Sequence, residues 1–351
     1  MNLLSVGIMF RVLTSIDLDR LIADTEAAIL QVIEAAEDER TRELYAMVRY
    51  HLGLDGDQPR GKRIRPLIGL LAYHSIAGEH LRALPGAVAV EMGHNFSLVH
   101  DDIEDRGEER RHRPALWTVA GIPQAINTGD TLFTLSRMAL HRLTDEGFSD
   151  AKVLALMRLY DETCLALCEG QFMDIWTSEH DEWLSVDWYL DMIGRKTASL
   201  IAGSAQAGAM LATDDALVIA AYRRFGWALG LAFQLNDDLL GIWGDEAATG
   251  KEASDIATRK KTLPLIYGLQ AATSPDRARL RAILVQPSHR ATLDEVVEAR
   301  LILERLGARD DTRERARAYR DEALAEISGA RTIDGEAIER LDQIVRAAIS
   351  A

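Results

Sequence analysis

The chain is short of the residues that mark several classes of protein. Of its 351 residues, 2 are cysteine, 8 are proline and 6% are aromatic, whereas 48% are hydrophobic and 27% are charged. Two cysteines, Cys164 and Cys168, cannot build a disulfide framework, so we expect a protein of the reducing cytoplasm. The composition also excludes intrinsic disorder and collagen, and it provides enough apolar residues for a large core.

Long hydrophobic runs and an excess of positive charge are also missing. We expect no transmembrane segment, because no window approaches the roughly 20 apolar residues that one needs. The segment 1–15 is apolar but contains Arg11, which indicates a loosely ordered N-terminus rather than a signal peptide. A net charge of −15, from 40 Lys and Arg against 55 Asp and Glu, argues against a nucleic-acid partner. At first sight it also argues against any polyanionic ligand.

The apolar residues repeat with the period of an α-helix. In 88–103 the spacings are 4, 4, 3 and 4, at Val88, Met92, Phe96, Val99 and Ile103. Similar patterns run through 153–175 and 215–241, and the Gly, Pro and Asp clusters between them are too short to be domain linkers. The sequence therefore predicts an all-α protein with one domain over 1–351, in which the small residues of 198–212 form a buried central helix.

Two acidic segments follow long apolar stretches. The first acidic segment, HDDIED at 100–105, places Asp101 and Asp105 on one helical face because they are four residues apart. The second acidic segment, QLNDDLLG at 234–241, contains Asp237 and Asp238. Magnesium prefers one or two carboxylates together with phosphate oxygens. Either segment alone is typical of a solvated helix end, but the two together predict a mouth that holds Mg²⁺ around a phosphate group.

Basic residues surround the first acidic segment. Lys62, Arg63 and Arg65 lie in GKRIRP at 61–66, and Arg110 and Arg111 come directly after the acidic residues. Guanidinium groups bind phosphate oxygens through two parallel hydrogen bonds. A charge run is usually only a solvated face, but basic runs beside carboxylate pairs in an acidic protein favour a phosphate-bearing ligand.

At these motifs the sequence resembles the trans-isoprenyl diphosphate synthases, or polyprenyl synthetases. The family's elements occur in order, as GKRIRP at 61–66, SLVHDDIEDRGEERRHRP at 97–114, CEGQFMD at 168–174, Lys196-Thr197, FQLNDDLLGIWGD at 233–245, GK at 250–251 and KKTLP at 260–264. The resemblance is to short-chain enzymes of the geranylgeranyl diphosphate synthase type. It implies a large helical bundle with a central cavity, a prenyltransferase that joins isopentenyl diphosphate to an allylic diphosphate, and a homodimer.

The resemblance also implies roles for individual residues. The metal ligands would be Asp101, Asp102, Asp105, Asp237 and Asp238, holding three Mg²⁺ ions that Mn²⁺ can replace. The allylic diphosphate would be bound by Arg110, Lys196, Lys251, Gln171 and Gln234. Isopentenyl diphosphate would be bound by Lys62, Arg65, His94 and Arg111. Thr197 and Lys261 would be supporting residues of the site. Of these residues, the ones expected to be catalytic are Asp101, Asp105, Lys196 and Asp237.

Product length in this family depends on the residues just before the first acidic segment. A bulky aromatic at Phe96, followed by Ser97, goes with short products, so we expect geranylgeranyl diphosphate (C20), with farnesyl diphosphate (C15) as the alternative. Helical periodicity alone would assign Phe96 to the core. The chain departs from the family pattern at Gly241, where the last Asp of the second acidic segment is missing, and at His112 and Trp117.

Two other functions remain open from the sequence. Asp237, Gly241 and Asp245 are spaced like the second metal motif of class I terpene cyclases, with poor matches at the last two positions. A cyclase needs one diphosphate site, whereas GKRIRP, His94 and Arg111 imply a second. A non-catalytic subunit of a heteromeric synthase would be expected to lose its acidic segments, and both persist here. The Gly-containing loop 244–255 could close over the site as a lid.

Overall fold

A computed structural model of the protein confirms the all-α prediction. It describes residues 16–56, 60–180, 184–244, 255–284, 291–330 and 332–348. The expected loose segment 1–15 lies outside these residues, as do Lys251 and nearly all of the expected lid at 244–255.

The helices up to residue 179 are α1 (Leu18–Ala36), α2 (Arg42–Leu52), α3 (Ile64–Ala77), α4 (Leu84–Glu104), α5 (Leu116–Ala120), α6 (Ile122–His141) and α7 (Asp150–Glu179). The later helices are α8 (Val186–Ile193), α9 (Ser199–Ala212), α10 (Ala216–Trp243), α11 (Asp255–Thr258), α12 (Leu263–Ala271), α13 (Ser274–Leu284), α14 (Leu293–Arg305), α15 (Ala308–Ser328) and α16 (Gly335–Ala348). Within the described ranges, the only strands are the antiparallel pair β1 (Glu109–Arg110) and β2 (Arg113–Pro114).

Residue contacts divide the chain into two compact units, and the expectation of a single domain stays a prediction. The first unit consists of the described residues up to Met157, together with Ala207–Asp214 and the described part of Arg331–Leu341. At its centre α4 packs along α6. Close packing is possible because Gly129 of α6 lies against His100, where a Cβ atom would overlap the imidazole ring. The first acidic segment therefore ends a helix that is anchored in the core of this unit.

The second unit is built around α10. It consists of the described residues of Arg158–Gln206, Asp215–Ala330 and the chain from Asp342 onward. The α10 helix packs along α15. Its Gly226 approaches Ala202 of α9, and its Gly230 approaches Ala198 of the turn before α9, so closely that a Cβ atom on either glycine would overlap the neighbour. The small-residue stretch is therefore a buried helix with close neighbours, as the sequence predicts, and α10 carries the second acidic segment near its C-terminal end.

One helix corrects the expectation about hydrophobic runs. By length and composition α10 could cross a membrane, with a mean hydropathy of 1.3 over its most apolar 18-residue window, half of which is buried inside the protein. Buried core helices pass the same test, and α10 also carries Asp237 and Asp238. The absence of a membrane span therefore stays a prediction.

Candidate active site

The two neighbouring carboxylates of the first acidic segment have different environments. Arg110 Nε donates to both carboxylate oxygens of Asp102 at 2.9 Å, and Arg110 Nη2 lies 3.4 Å from Asp101 Oδ2. The Asp102 side chain is 5% exposed and that of Asp101 is 23% exposed. Burial raises the pKa of Asp102, and Arg110 opposes this shift. Asp102 is thus held by the protein, whereas Asp101 and the exposed Asp105 have access to solvent.

The arginine pair is presented by the tight turn between β1 and β2. Arg111 and His112 are its central residues, with φ angles of 56° and 59°. Positive φ at both positions is the geometry of a type I′ hairpin turn, which usually contains Asn and Gly. His112 therefore occupies a backbone conformation that glycine would adopt with less strain. The turn sends the side chains of Arg110 and Arg111 to different partners.

Arg65, His94 and Arg111 form what we call the cation cluster. Arg65 Nη1 lies 3.0 Å from His94 Nε2, and since a guanidinium only donates, the imidazole nitrogen accepts. Burial holds the pKa of His94 well below 6.5, and the charges of Arg65 and Arg111 lower it further. Burial also lowers the pKa of Arg65 to about 10, so Arg65 stays charged at neutral pH beside a neutral histidine. The cluster joins three of the four residues predicted to bind isopentenyl diphosphate, and the fourth, Lys62, is exposed.

Phe96 lies in the first unit among other aromatic rings. Its ring meets Phe133 of α6 edge to face at a centroid distance of 5.0 Å, and His100 at 6.0 Å. Phe96 is 8% exposed, whereas Ser97 is half-buried and donates its hydroxyl to the backbone carbonyl of His94. The periodicity-based assignment of Phe96 to the core is therefore correct, and the ring also stands one turn before the acidic segment.

In the second acidic segment, Asp238 is surrounded by donors. Tyr189 donates its hydroxyl to Asp238 Oδ2 at 2.6 Å, Gln234 Nε2 to Oδ1 at 3.2 Å, and the backbone N–H of Leu263 to Oδ2 at 3.3 Å. Burial raises the pKa of Asp238 to about 7, against the lowering effect of the Tyr189 hydrogen bond. Gln234 in turn accepts from the Thr197 hydroxyl at 2.9 Å. Its amide is therefore used inside the protein.

Lys196 and Thr197 lie in a π-helical turn, Gly194–Ala198, between α8 and α9. Lys196 Nζ lies 2.5 Å from Asp174 Oδ2. The turn can approach α7 closely because position 170 is glycine, and a Cβ atom there would overlap the Lys196 backbone. The half-buried Gln171 follows Gly170 in α7. The close contact between Gly170 and Lys196 therefore positions both Gln171 and Lys196, which are predicted to bind the allylic diphosphate.

The two lysines of KKTLP have different environments. Lys261 Nζ donates to the carbonyl of Thr177 at 2.7 Å and to that of His180, so it binds the C-terminal end of α7. Lys260 is exposed overall, yet its ammonium group interacts electrostatically with four carboxylates. Desolvation lowers the pKa of Lys260, but the negative charges of the four carboxylates outweigh it and raise the pKa. In decreasing order of effect, the carboxylates are Asp255, Asp238, Asp174 and Asp237.

Asp255 also lies where the second acidic segment lacks its last carboxylate. A Cβ atom on Gly241 would overlap the carboxylate of Asp255. Glycine at 241 therefore leaves room for the approach of a different acidic side chain. Spacing along α10 could not show this, because Asp255 belongs to another helix, α11.

Across the part of the chain that the structure describes, no three His, Cys, Asp or Glu side chains form a ready-made metal site. The acidic segments offer pairs instead. Magnesium commonly takes only one or two protein carboxylates and completes its shell with water and phosphate oxygens. The solvent-accessible pair Asp101 and Asp105 therefore suits a cation that arrives with a phosphate-bearing substrate.

Comparison with known proteins identifies the family. The model of the polyprenyl synthetase family matches residues 41–300. The chain belongs to the polyprenyl synthetase family. It is 39% identical to the (2E,6E)-farnesyl diphosphate synthase of Mycobacterium tuberculosis over 75% of this chain and 74% of that one. It is 38% identical to a geranylgeranyl diphosphate synthase of the same organism, over 83% and 82%.

Solved structures of polyprenyl synthetases share the fold. The geranylgeranyl pyrophosphate synthetase of Pyrococcus horikoshii matches with a TM-score of 0.85 and 30% identity, over 95% of this chain and 98% of that one. The polyprenyl synthetase of Streptomyces coelicolor matches with a TM-score of 0.83 and 32% identity, over 95% and 100%. The predicted resemblance and the isoprenoid synthase fold are thus confirmed.

As a polyprenyl synthetase with these relatives, the chain is a short-chain trans-prenyltransferase. The family uses isopentenyl diphosphate and allylic diphosphates and depends in general on magnesium. The roles given to individual residues remain predictions. The geometry is most informative where residues adjacent in sequence have different environments, as in the pairs Asp101 and Asp102, Asp237 and Asp238, and Lys260 and Lys261.

Proposed function

We propose that this polyprenyl synthetase condenses isopentenyl diphosphate with an allylic diphosphate to give geranylgeranyl diphosphate. The observation that carries the proposal is the presence of two different anion-binding sets in the first unit. Asp101 and Asp105 beside Arg110 suit a diphosphate that brings metal ions, and the cation cluster suits a diphosphate that binds without metal. Two diphosphates are the substrates of a synthase, whereas a terpene cyclase needs only one.

Asp101, Asp105 and Asp237 are the proposed magnesium ligands. Asp101 and Asp105 lie one turn apart with access to solvent, and Asp237 is half-buried, which fits the few carboxylates that magnesium takes from a protein. Bound magnesium would stabilise the negative charge that develops on the departing diphosphate. Asp102 and Asp238 would instead position Arg110 and Gln234. Three ions, with manganese as a substitute, remain part of this proposal.

The chain's own cations complete the proposed chemistry. Arg110, Lys196 and Lys260, with Lys251 from outside the described residues, would hold the allylic diphosphate as its C–O bond breaks. The cation cluster and Lys62 would hold isopentenyl diphosphate, whose double bond attacks the allylic carbon. The proton lost from the new product would pass to the released diphosphate.

The central test is an assay with Mg²⁺ and C5, C10 or C15 allylic diphosphates, with and without isopentenyl diphosphate. We expect a C20 product only when isopentenyl diphosphate is present. A hydrocarbon formed without it would indicate a cyclase, and no product in either case would indicate a non-catalytic subunit. A C15 end product would replace geranylgeranyl by farnesyl diphosphate and leave the reaction class unchanged.

Product length is proposed to depend on Phe96. We expect Phe96→Ala to shift the end product from C20 to C25 or longer, because the missing ring opens space below the first acidic segment. Chromatography of the dephosphorylated products measures the shift. Phe148→Ala, which removes another ring of the first unit that contacts Tyr73, is the matched control and should leave the product at C20. An unchanged product in Phe96→Ala would contradict this role.

A homodimer in the cytoplasm is the proposed state of the enzyme. Helices α5 and α6 expose large apolar side chains, namely Val119, Ile122, Ile126 and Met138, of which Val119 is 60% exposed. Clustered exposed apolar side chains of this kind favour a protein partner, here a second copy. Cys164 and Cys168 are thiols rather than halves of a disulfide, which suits a reducing compartment. The net charge of −15 makes nucleic acid an improbable ligand.

A further inference from the structure

A continuous series of buried polar contacts lies behind Arg111. Arg63, whose side chain is fully buried, pairs with Glu26 at 3.1 Å and with Glu91 at 2.7 Å. The same oxygen of Glu91 accepts from Asn95 Nδ2 at 2.9 Å. Asn95 Oδ1 accepts from Arg111 Nη2 at 3.2 Å. The series therefore connects a buried ion pair to one guanidinium of the cation cluster.

The orientation of the Asn95 amide follows from its neighbours. Its Nδ2 lies 2.8 Å from the Glu91 carbonyl and 2.9 Å from the Glu91 carboxylate, both of which only accept hydrogen bonds. Its Oδ1 faces Arg111, which only donates. A flipped amide would place donor against donor and acceptor against acceptor. Asn95 is 0% exposed, so water cannot substitute for these partners.

The contact with Asn95 leaves the charge of Arg111 uncompensated at short range. The Glu91 carboxylate is engaged by Arg63, and the neutral amide of Asn95 separates it from Arg111. A carboxylate at position 95 would pair with the guanidinium and neutralise it, and it would also lose the donors that the Asn95 amide gives to Glu91. Arg111 also donates to the carbonyl of His51 at 3.3 Å, a second uncharged acceptor.

Two further features limit where the Arg111 side chain can lie. Its backbone has the positive φ of the β1–β2 turn. Its Nη2 atom packs against Gly61, so closely that a Cβ atom on Gly61 would lie 2.9 Å from it. The neighbouring His51 is a neutral imidazole, because desolvation and the charge of Arg111 lower the pKa of His51 to about 3. The two groups that accept hydrogen bonds from the guanidinium are thus uncharged, and the Glu91 and Asp102 carboxylates only partly offset the burial that lowers the pKa of Arg111.

From these contacts we propose that Asn95, itself held by Glu91, is a positioning residue that fixes the Arg111 guanidinium for the diphosphate of isopentenyl diphosphate while preserving its charge. The proposal rests on the proposed function. It predicts a specific kinetic result, because Arg111 is assigned to only one of the two substrates.

Asn95→Ala is expected to raise the KM for isopentenyl diphosphate about tenfold, the effect of losing one hydrogen bond to a charged group. The kcat and the KM for the allylic diphosphate should stay within about twofold, since the Asn95 side chain makes its hydrogen bonds to Glu91 and Arg111. Ser136→Ala is the matched control, because it removes a buried hydroxyl of the first unit that donates to the Phe133 carbonyl. It should leave both KM values unchanged.

Asn95→Asp combines the loss of the donors to Glu91 with a new negative charge beside Arg111. It has nearly the same volume but puts a carboxylate against Arg111, so we expect a larger rise in the KM for isopentenyl diphosphate than in Asn95→Ala. In an Arg111→Lys background, Asn95→Ala should have no further effect, because the group that it positions is gone. If Asn95→Ala does not fold, Asn95→Ser carries the same expectation.

Several results would overturn the proposal. These are an unchanged KM for isopentenyl diphosphate in folded Asn95→Ala, an equal rise in both KM values, a similar change in Ser136→Ala, or additive effects with Arg111→Lys. Failure of the proposed function looks different, because the wild-type enzyme would then make no prenyl diphosphate from these substrates.

Discussion

Asp101→Asn is expected to lower kcat by at least about a thousandfold, one of the two largest effects that we predict. Asp101 is a solvent-accessible carboxylate of the first acidic segment, and an amide binds magnesium far more weakly. Electrostatic stabilisation of a departing group contributes several kcal/mol, and about 1.4 kcal/mol corresponds to a factor of ten. Steady-state kinetics at several Mg²⁺ concentrations measures the loss, and the Mg²⁺ concentration for half-maximal rate should rise.

Two further variants distinguish ligand loss from other causes. Asp102→Asn breaks the paired hydrogen bonds with Arg110, so we expect a smaller loss of kcat, about ten- to a hundredfold, with little change in the Mg²⁺ requirement. Glu104→Gln removes one negative charge from an exposed position of the same helix and should change kcat less than twofold. If Asp102→Asn raised the Mg²⁺ requirement as much as Asp101→Asn, the division of roles between these two carboxylates would be wrong.

The different environments of Asp101 and Asp102 show what can and cannot be predicted from the sequence. Periodicity predicts a helix over 88–103, close to the observed α4, and places carboxylates at its end. It cannot tell which of two adjacent carboxylates is held by the protein. That depends on partners elsewhere in the chain: Arg110 lies 8 residues after Asp102, and Tyr189 lies 49 residues before Asp238.

Charge is the other property that sequence alone describes incompletely. The run Lys62, Arg63 and Arg65 looks uniform, yet Lys62 is exposed, Arg63 is buried between two glutamates, and Arg65 faces His94. The glutamates that neutralise Arg63 are 37 and 28 residues away. Positive charge suited to diphosphate therefore remains on only part of the run, and the net charge of −15 says nothing about the sign at the site.

Lys260→Met is expected to lower kcat about a hundredfold or more, the usual effect of removing one preorganised electrostatic group. The ammonium of Lys260 lies in the field of Asp255, Asp238 and two further carboxylates, which keep its pKa raised against desolvation. Without it, like charges around the second acidic segment would be uncompensated and a proposed diphosphate ligand would be lost. Lys260→Arg retains the charge and should recover a large part of the activity. Steady-state kinetics of the two variants makes the comparison.

Lys261→Met is the matched control because it removes the same charge one residue away. Lys261 binds the carbonyls of Thr177 and His180, so its loss should reduce the free energy of unfolding by about 1 kcal/mol and leave kcat within a fewfold of the wild type. Chemical denaturation and kinetics on both variants separate the two effects. If Lys261→Met lost activity while Lys260→Met kept it, the assignment of function to Lys260 would be wrong. Lys261 would then act in the site, and its hydrogen bonds to the two carbonyls would have to break when substrate binds.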